Sequence, residues 1–210
     1  EEEIALFYLD KEIEVFIGGG RDLFEKRSDG RNLSEELRQK GYSIVYDRQE
    51  LASVQTGKIA GLLAPGHLPR INKGRDPDYL AGATRKALEV LSRNDRGFFL
   101  LVEGSLIDKG GHSRNRKTVI SETLDFDRAV REAFDFADRN PGTLVVVTAD
   151  HETGGPSLPV RKNKPKYRLT SGEPAGIMVP VYSYGAGAGR FTGILDNTEL
   201  PLRMMELLGM

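Results

Sequence analysis

Apolar residues recur along the chain in short runs separated by turn formers, and six of these runs predict strands. They are Ile13–Ile17, Ser43–Tyr46, Ile59–Leu63, Phe98–Val102, Thr143–Thr148 and Val179–Tyr184. Phe98–Val102 and Leu144–Val147 are apolar at every position, as expected of strands covered on both faces. Between the runs the period changes. Leu80, Thr84, Ala87 and Leu91 share one face of a helix predicted over Tyr79–Asn94. Val119, Thr123, Phe126, Val130, Phe134 and Ala137 do the same over Thr118–Arg139, which Asn140-Pro141-Gly142 ends. A further helix is predicted from about Asn197 to Leu208, with Pro201 in its first turn. Another opens at Asn32-Leu33-Ser34-Glu35, where Asn32 is the cap and Glu35 its capping-box partner.

Strands alternating with helices predict an α/β fold, a three-layer sandwich around a largely parallel central sheet. Neither a repeat nor a linker divides the chain, so residues 1–210 read as a single domain. The stretches Leu68–Asp78 and Pro156–Thr170 are rich in Pro, Lys and Arg and read as surface excursions.

Composition narrows the function. Thirty Lys and Arg against 31 Asp and Glu leave a net charge of −1, which makes no electrostatic case for nucleic acid or an anionic membrane. No apolar run reaches the ~18 residues a membrane-spanning helix needs. Cysteine is absent, which excludes disulfides, thiolate metal sites and cysteine nucleophiles. The chain opens Glu1-Glu2-Glu3 without an initiator Met or a signal peptide, so either something upstream is expected to have been removed or the sequence is an excised piece.

In open α/β sheets, ligands collect beyond the C-terminal strand ends. Two such ends carry unusual residues here. Val102 leads into Glu103-Gly104-Ser105-Leu106-Ile107-Asp108-Lys109-Gly110-Gly111-His112, and Val147 leads into Thr148-Ala149-Asp150-His151-Glu152-Thr153-Gly154-Gly155. Each segment delivers a carboxylate and an imidazole, a natural donor set for zinc. Two of the three histidines of the chain fall in these segments.

Both segments resemble bacterial alkaline phosphatases. The likeness extends in order through Val15–Arg21, Gly66–Pro69, Glu122–Asp127, Val179–Gly185 and Asp196–Leu200, and so covers nearly the whole chain. It implies a metal-dependent phosphomonoesterase with zinc and magnesium as cofactors. By this resemblance Asp108 and His112 would bind one zinc, Asp150 and His151 a second, and Glu103 the magnesium. It also implies a phosphomonoester substrate, export to the periplasm or beyond the cell, and a homodimer or other self-association.

The same resemblance places this chain as the C-terminal portion of the family's chain, with the N-terminal part missing. That part supplies a metal-bridging Asp, the nucleophilic Ser in an Asp-Ser-Ala context, a phosphate-binding Arg and a magnesium ligand. No Asp-Ser pair occurs here, and five donors fall short of three metal shells. The isolated chain is therefore expected to be inactive or nearly so. The family's His ahead of the Val179-Pro180-Val181 strand is absent from Ser171–Met178, where Glu173 is the nearest oxygen donor. His67 reads as structural. Ser105 and Ser113 flank the donors but do not match the family's nucleophile. Gly18-Gly19-Gly20 reads as a structural turn, and Arg114–Lys117 as a solvated loop. The alternatives are a non-catalytic metal-binding or interaction module, and a phosphodiesterase or sulfatase of the same superfamily.

Overall fold

A computed structural model describes residues 1–11, 13–162 and 164–209. The chain falls into two compact units, Glu1–Val102 and Glu103–Met210.

The first unit orders as α1 (Glu2–Asp10), β1 (Val15–Gly18), α2 (Arg21–Glu25), α3 (Leu33–Gln39), β2 (Tyr42–Val45), α4 (Arg48–Ser53), β3 (Lys58–Leu62), a 3₁₀ turn (Ile71–Lys73) and α5 (Tyr79–Leu91). Its sheet has the order β1-β3-β2 and is parallel throughout, with Ile59 opposite both Val15 and Ser43. Alternation along the strands sorts side chains into two cores. Phe16, Tyr42, Ala60 and Leu62 face Ala5, Leu9, Phe24, Leu33 and Leu37 of α1 to α3. Val15, Ile17, Val45 and Ile59 face Leu51 of α4 and Val90 of α5. Leu33 and Leu37 are wholly buried one helical turn apart, a burial that contributes about 1.5–3 kcal/mol each. The cap predicted at Asn32 is present, with its side chain accepting from Glu35 N at 3.2 Å.

The second unit contains α6 (Leu106–His112), α7 (Arg116–Arg139), β4 (Leu144–Val147), the two-residue strands β5 (Pro156–Ser157), β6 (Val160–Arg161), β7 (Lys164–Pro165) and β8 (Arg168–Leu169), then β9 (Tyr182–Gly185), a 3₁₀ turn (Ala188–Phe191) and α8 (Glu199–Leu207). β4 pairs antiparallel with β9, β5 with β8 and β6 with β7. Along α7, Phe134 packs at a tilt against Tyr184 of β9, ring centroids 5.0 Å apart, and the Tyr184 hydroxyl donates to Asp138 at 2.5 Å. These contacts fasten the long helix to the β4-β9 pair.

Two expectations are corrected. The pairing is mixed rather than largely parallel: among the described residues the three-stranded sheet is parallel and the other ladders are antiparallel. Phe98–Val102 forms no strand; it follows a turn that Asn94 closes onto the Gly97 carbonyl at 2.8 Å, with Phe99 64% and Leu101 79% exposed. An apolar run becomes a strand only where a neighbouring backbone completes its hydrogen bonds.

Candidate metal centre

α6 converts the first motif into geometry. Asp108 and His112 are four residues apart on one helix and therefore stack on one face. His112 Nε2 lies 3.3 Å from Asp108 Oδ2. The other ring nitrogen, Nδ1, lies 2.7 Å from the Gly172 carbonyl. A carbonyl only accepts, so Nδ1 carries a proton and Nε2 is the nitrogen turned toward the carboxylate.

The second motif repeats the device in a loop. His151 Nδ1 donates to the Glu152 carbonyl at 2.9 Å, and His151 Nε2 faces Asp150 Oδ2 at 3.4 Å. Asp150 Oδ1 accepts from His151 N at 3.1 Å, which holds the carboxylate against its neighbour. The bond to the Glu152 carbonyl holds the His151 pKa above its ordinary value. Burial opposes that rise, and the charges of Asp150 and Asp108 add to it. Asp108 thus adds to the charges that favour the protonated form of His151.

In each pair an imidazole nitrogen faces carboxylate oxygen. Two lone pairs repel at such distances unless a proton or a metal cation lies between them. Asp108 Oδ1 is in addition buried and without a hydrogen-bond partner. An orphaned carboxylate oxygen costs stability that a bound cation would recover. The donor set therefore fits a divalent metal with nitrogen and oxygen ligands. It is an incomplete set: among the described residues no group of three or more His, Cys, Asp or Glu side chains could hold a metal ion.

Close backbone approach holds the segments together. A Cβ on Gly111 would overlap Thr153 Oγ1 and lie 2.9 Å from Thr153 Cβ, so only glycine lets α6 meet the 150–155 loop this closely. Glu152 ties that loop to the 170s, accepting from Gly155 N at 2.6 Å and from Ala175 N at 3.0 Å. Thr170 N and Ser171 N donate to the Gly154 carbonyl at 2.9 and 3.1 Å. Glu152 was legible only as part of the motif, and its organising role follows from these two bonds. Hydrogen-bonded partners of this kind set the orientation of metal-binding imidazoles.

The remaining candidates fall elsewhere. Glu103 is exposed, and among the described residues no hydrogen bond or ion pair joins it to the two pairs. Glu173 is exposed, with only its backbone engaged, by Ser171. His67 is exposed in the first unit. Ser105 is the N-cap position of α6 and makes no capping bond. Ser113 Oγ donates to the Lys109 carbonyl at 2.8 Å. Gly18–Gly20 is a structural turn: the N–H groups of Gly20, Arg21 and Asp22 are taken by the carbonyls of Gly66, Ala64 and Pro65, which leaves no cradle for phosphate. In Arg114–Lys117, Asn115 caps α7 by accepting from Thr118 N at 3.1 Å.

Comparison with known proteins agrees with the motifs. A family model described as alkaline phosphatase matches residues 2–164. Alkaline phosphatase 3 of Bacillus subtilis is 42% identical over 147 residues, covering 70% of this chain and 31% of its own. Streptomycin-6-phosphate phosphatase of Streptomyces griseus is 34% identical over 252 residues, covering 94% of this chain and 56% of its own. The solved alkaline phosphatase of the Antarctic bacterium TAB5 superposes with a TM-score of 0.93 at 33% identity, over 99% of this chain and 64% of that one. A variant of the TAB5 enzyme solved with Mg bound superposes at 0.91. The chain thus spans about a third to two thirds of the length of these relatives. The family match also corrects the expected placement: it begins at Glu2, at the N-terminal end of this chain, and marks residues 2–164 as the family core. The reading of a C-terminal portion with the N-terminal part missing is overturned by that match. The chain belongs to the alkaline phosphatase family.

Proposed function

We propose that this chain contributes the metal-holding half of a phosphomonoesterase site. The observation that carries the reading is the shared arrangement of His112 and His151: each donates through Nδ1 to a backbone carbonyl and turns Nε2 toward an aspartate. Asp108 and His112 would hold one zinc, Asp150 and His151 a second, and Glu103 a magnesium ion. When bound, such metals polarise the phosphate and lower the pKa of the attacking oxygen. The chain's own residues supply orientation. Gly172 and Glu152 fix the two tautomers through their carbonyls, the Glu152 carboxylate holds the loops together, and Gly111 permits the close packing.

The substrate is a phosphomonoester, in keeping with the family and with the phosphate ester named for the Streptomyces relative. The nucleophilic serine and the remaining ligands lie outside these 210 residues, a view supported by the incomplete donor set and by the share of each relative covered. The isolated chain is accordingly inactive or nearly so. We read residues 1–210 as one alkaline-phosphatase-like domain of a homodimeric protein of the periplasm or extracellular space. No helix among the described residues is long and apolar enough to cross a membrane.

Zinc titration by calorimetry, together with a phosphomonoesterase assay in excess zinc and magnesium, tests the reading. Zinc binding that Asp108→Asn and Asp150→Asn each weaken, without turnover, is expected. Turnover by the isolated chain, abolished by Asp150→Ala, would show that the site is complete here and overturn the assignment of the serine elsewhere. Absence of zinc binding would remove the metal-holding role.

A further inference from the structure

Charge is distributed unevenly over the second unit. Residues 156–170 contain Arg161, Lys162, Lys164, Lys166 and Arg168 and no Asp or Glu, within a chain whose net charge is −1. Elsewhere on the surface cations sit beside acids: Arg31 on Glu36, Arg131 on Asp135, Arg203 on Glu199. Lys162, Lys164, Lys166 and Arg168 are exposed, and among the described residues none has an acidic partner.

The described residues of this segment pair as a hairpin. β5 pairs with β8 and β6 with β7, and Lys166 N donates to the Pro159 carbonyl between the two ladders at 3.0 Å. Its root is the candidate centre's own loop: Thr170 donates to the carbonyls of Gly154 and Gly155, three and four residues after His151. Along the returning arm Lys164, Lys166 and Arg168 are spaced two residues apart in extended chain, which sets them on one side at steps of about 7 Å.

We infer that Lys164, Lys166 and Arg168 form a cationic arm that captures oligophosphate anions at the edge of the candidate centre. A row of three cations at this spacing outreaches a single phosphate and matches an anion carrying several. The arm lacks the stacking platform that single-stranded nucleic acid requires. Its one aromatic, Tyr167, is partly buried. Capture stands on charge and placement alone. Its consequence, that the site favours phosphomonoesters bearing further phosphate groups, rests on the proposed function.

Calorimetric titration of the intact chain with inorganic tripolyphosphate, with chelator present, tests capture. Tripolyphosphate is expected to bind, and to bind more weakly as salt rises from about 0.05 to about 0.2 M. Orthophosphate should bind at least about tenfold more weakly. The K164Q/K166Q/R168Q variant should lose about tenfold in affinity while keeping its affinity for zinc. D108N/D150N should keep or tighten tripolyphosphate binding while losing zinc. The inference is overturned if the intact chain does not bind tripolyphosphate, if the arm variant binds it undiminished, if orthophosphate binds equally well, or if D108N/D150N abolishes binding. Failure of the intact chain to bind zinc, with its tripolyphosphate binding present, would count against the metal reading and leave the arm standing.

Discussion

Replacing Gly111 by Ala should separate the two aspartate–histidine pairs without touching a donor. The added methyl would overlap Thr153 Oγ1 and stand 2.9 Å from Thr153 Cβ and 3.0 Å from its Cγ2. Rotation of the threonine relieves the hydroxyl and methyl contacts but not the one to Cβ, so α6 or the 150–155 loop must move. Overpacking of this kind costs about 1–3 kcal/mol. Against it stands the helix preference of Ala over Gly, about 0.8–1 kcal/mol, because Gly111 lies within α6. The net expectation is a loss of about 1 kcal/mol in urea unfolding, and a fall in zinc affinity on the order of tenfold as the supporting contacts shift. Adding Thr153→Gly removes the Cβ contact itself and should return about 1 kcal/mol of the Gly111→Ala cost, a coupling that the double-mutant cycle isolates from the cost of Thr153→Gly alone. Greater stability in Gly111→Ala with unchanged zinc affinity, and no coupling to Thr153, would show that α6 does not meet the loop as described.

Two further substitutions test the supporting structure. Glu152→Ala frees the N–H groups of Gly155 and Ala175 and should cost about 1–3 kcal/mol with weaker zinc binding. Glu152→Gln, which keeps an accepting oxygen, should fall between it and the parent by the same measurements. In the first unit, Ser28 donates from Oγ and N to the Glu2 carboxylate, which lies below its ordinary pKa, the side-chain bond being the larger cause. A lowered carboxyl pKa gives stability that is present above the unfolded value near 4.5 and is lost as pH falls through the folded value. Thermal unfolding of Ser28→Ala should therefore show a smaller loss on acidification than the parent. An unchanged acid response would remove this contact from the docking of α1.

The parts legible in the chain are those where local pattern and long-range packing agree. The Asn32 cap, the amphipathic α5 and α7 and the strands around Phe16, Ile44 and Ile59 fall within a few residues of expectation. Phe98–Val102 misled because its composition states only a preference for burial, whereas a strand needs a partner ladder. Asp108 and His112 were visible as a donor pair, but read as following a strand. The helix that sets them four apart became evident only with α6 in place. Glu152 carried no sequence signal beyond its motif, because its two acceptor bonds reach backbone groups three and 23 residues away. The hairpin at residues 156–170 was legible as a surface excursion from its Pro and Lys content, although not as paired strands, since two-residue ladders leave no periodicity to read.

In the proposed site Nε2 of His112 and of His151 would take the cation, while Nδ1 donates to a backbone carbonyl. With three histidines in the chain, long-range proton–nitrogen correlation spectra recorded with and without zinc address it directly. Zinc should shift the Nε2 resonances of His112 and His151, both should retain a protonated Nδ1, and His67 should be unmoved. Loss of the Nδ1 proton on zinc binding, or spectra of His112 and His151 that zinc leaves unchanged, would contradict this arrangement.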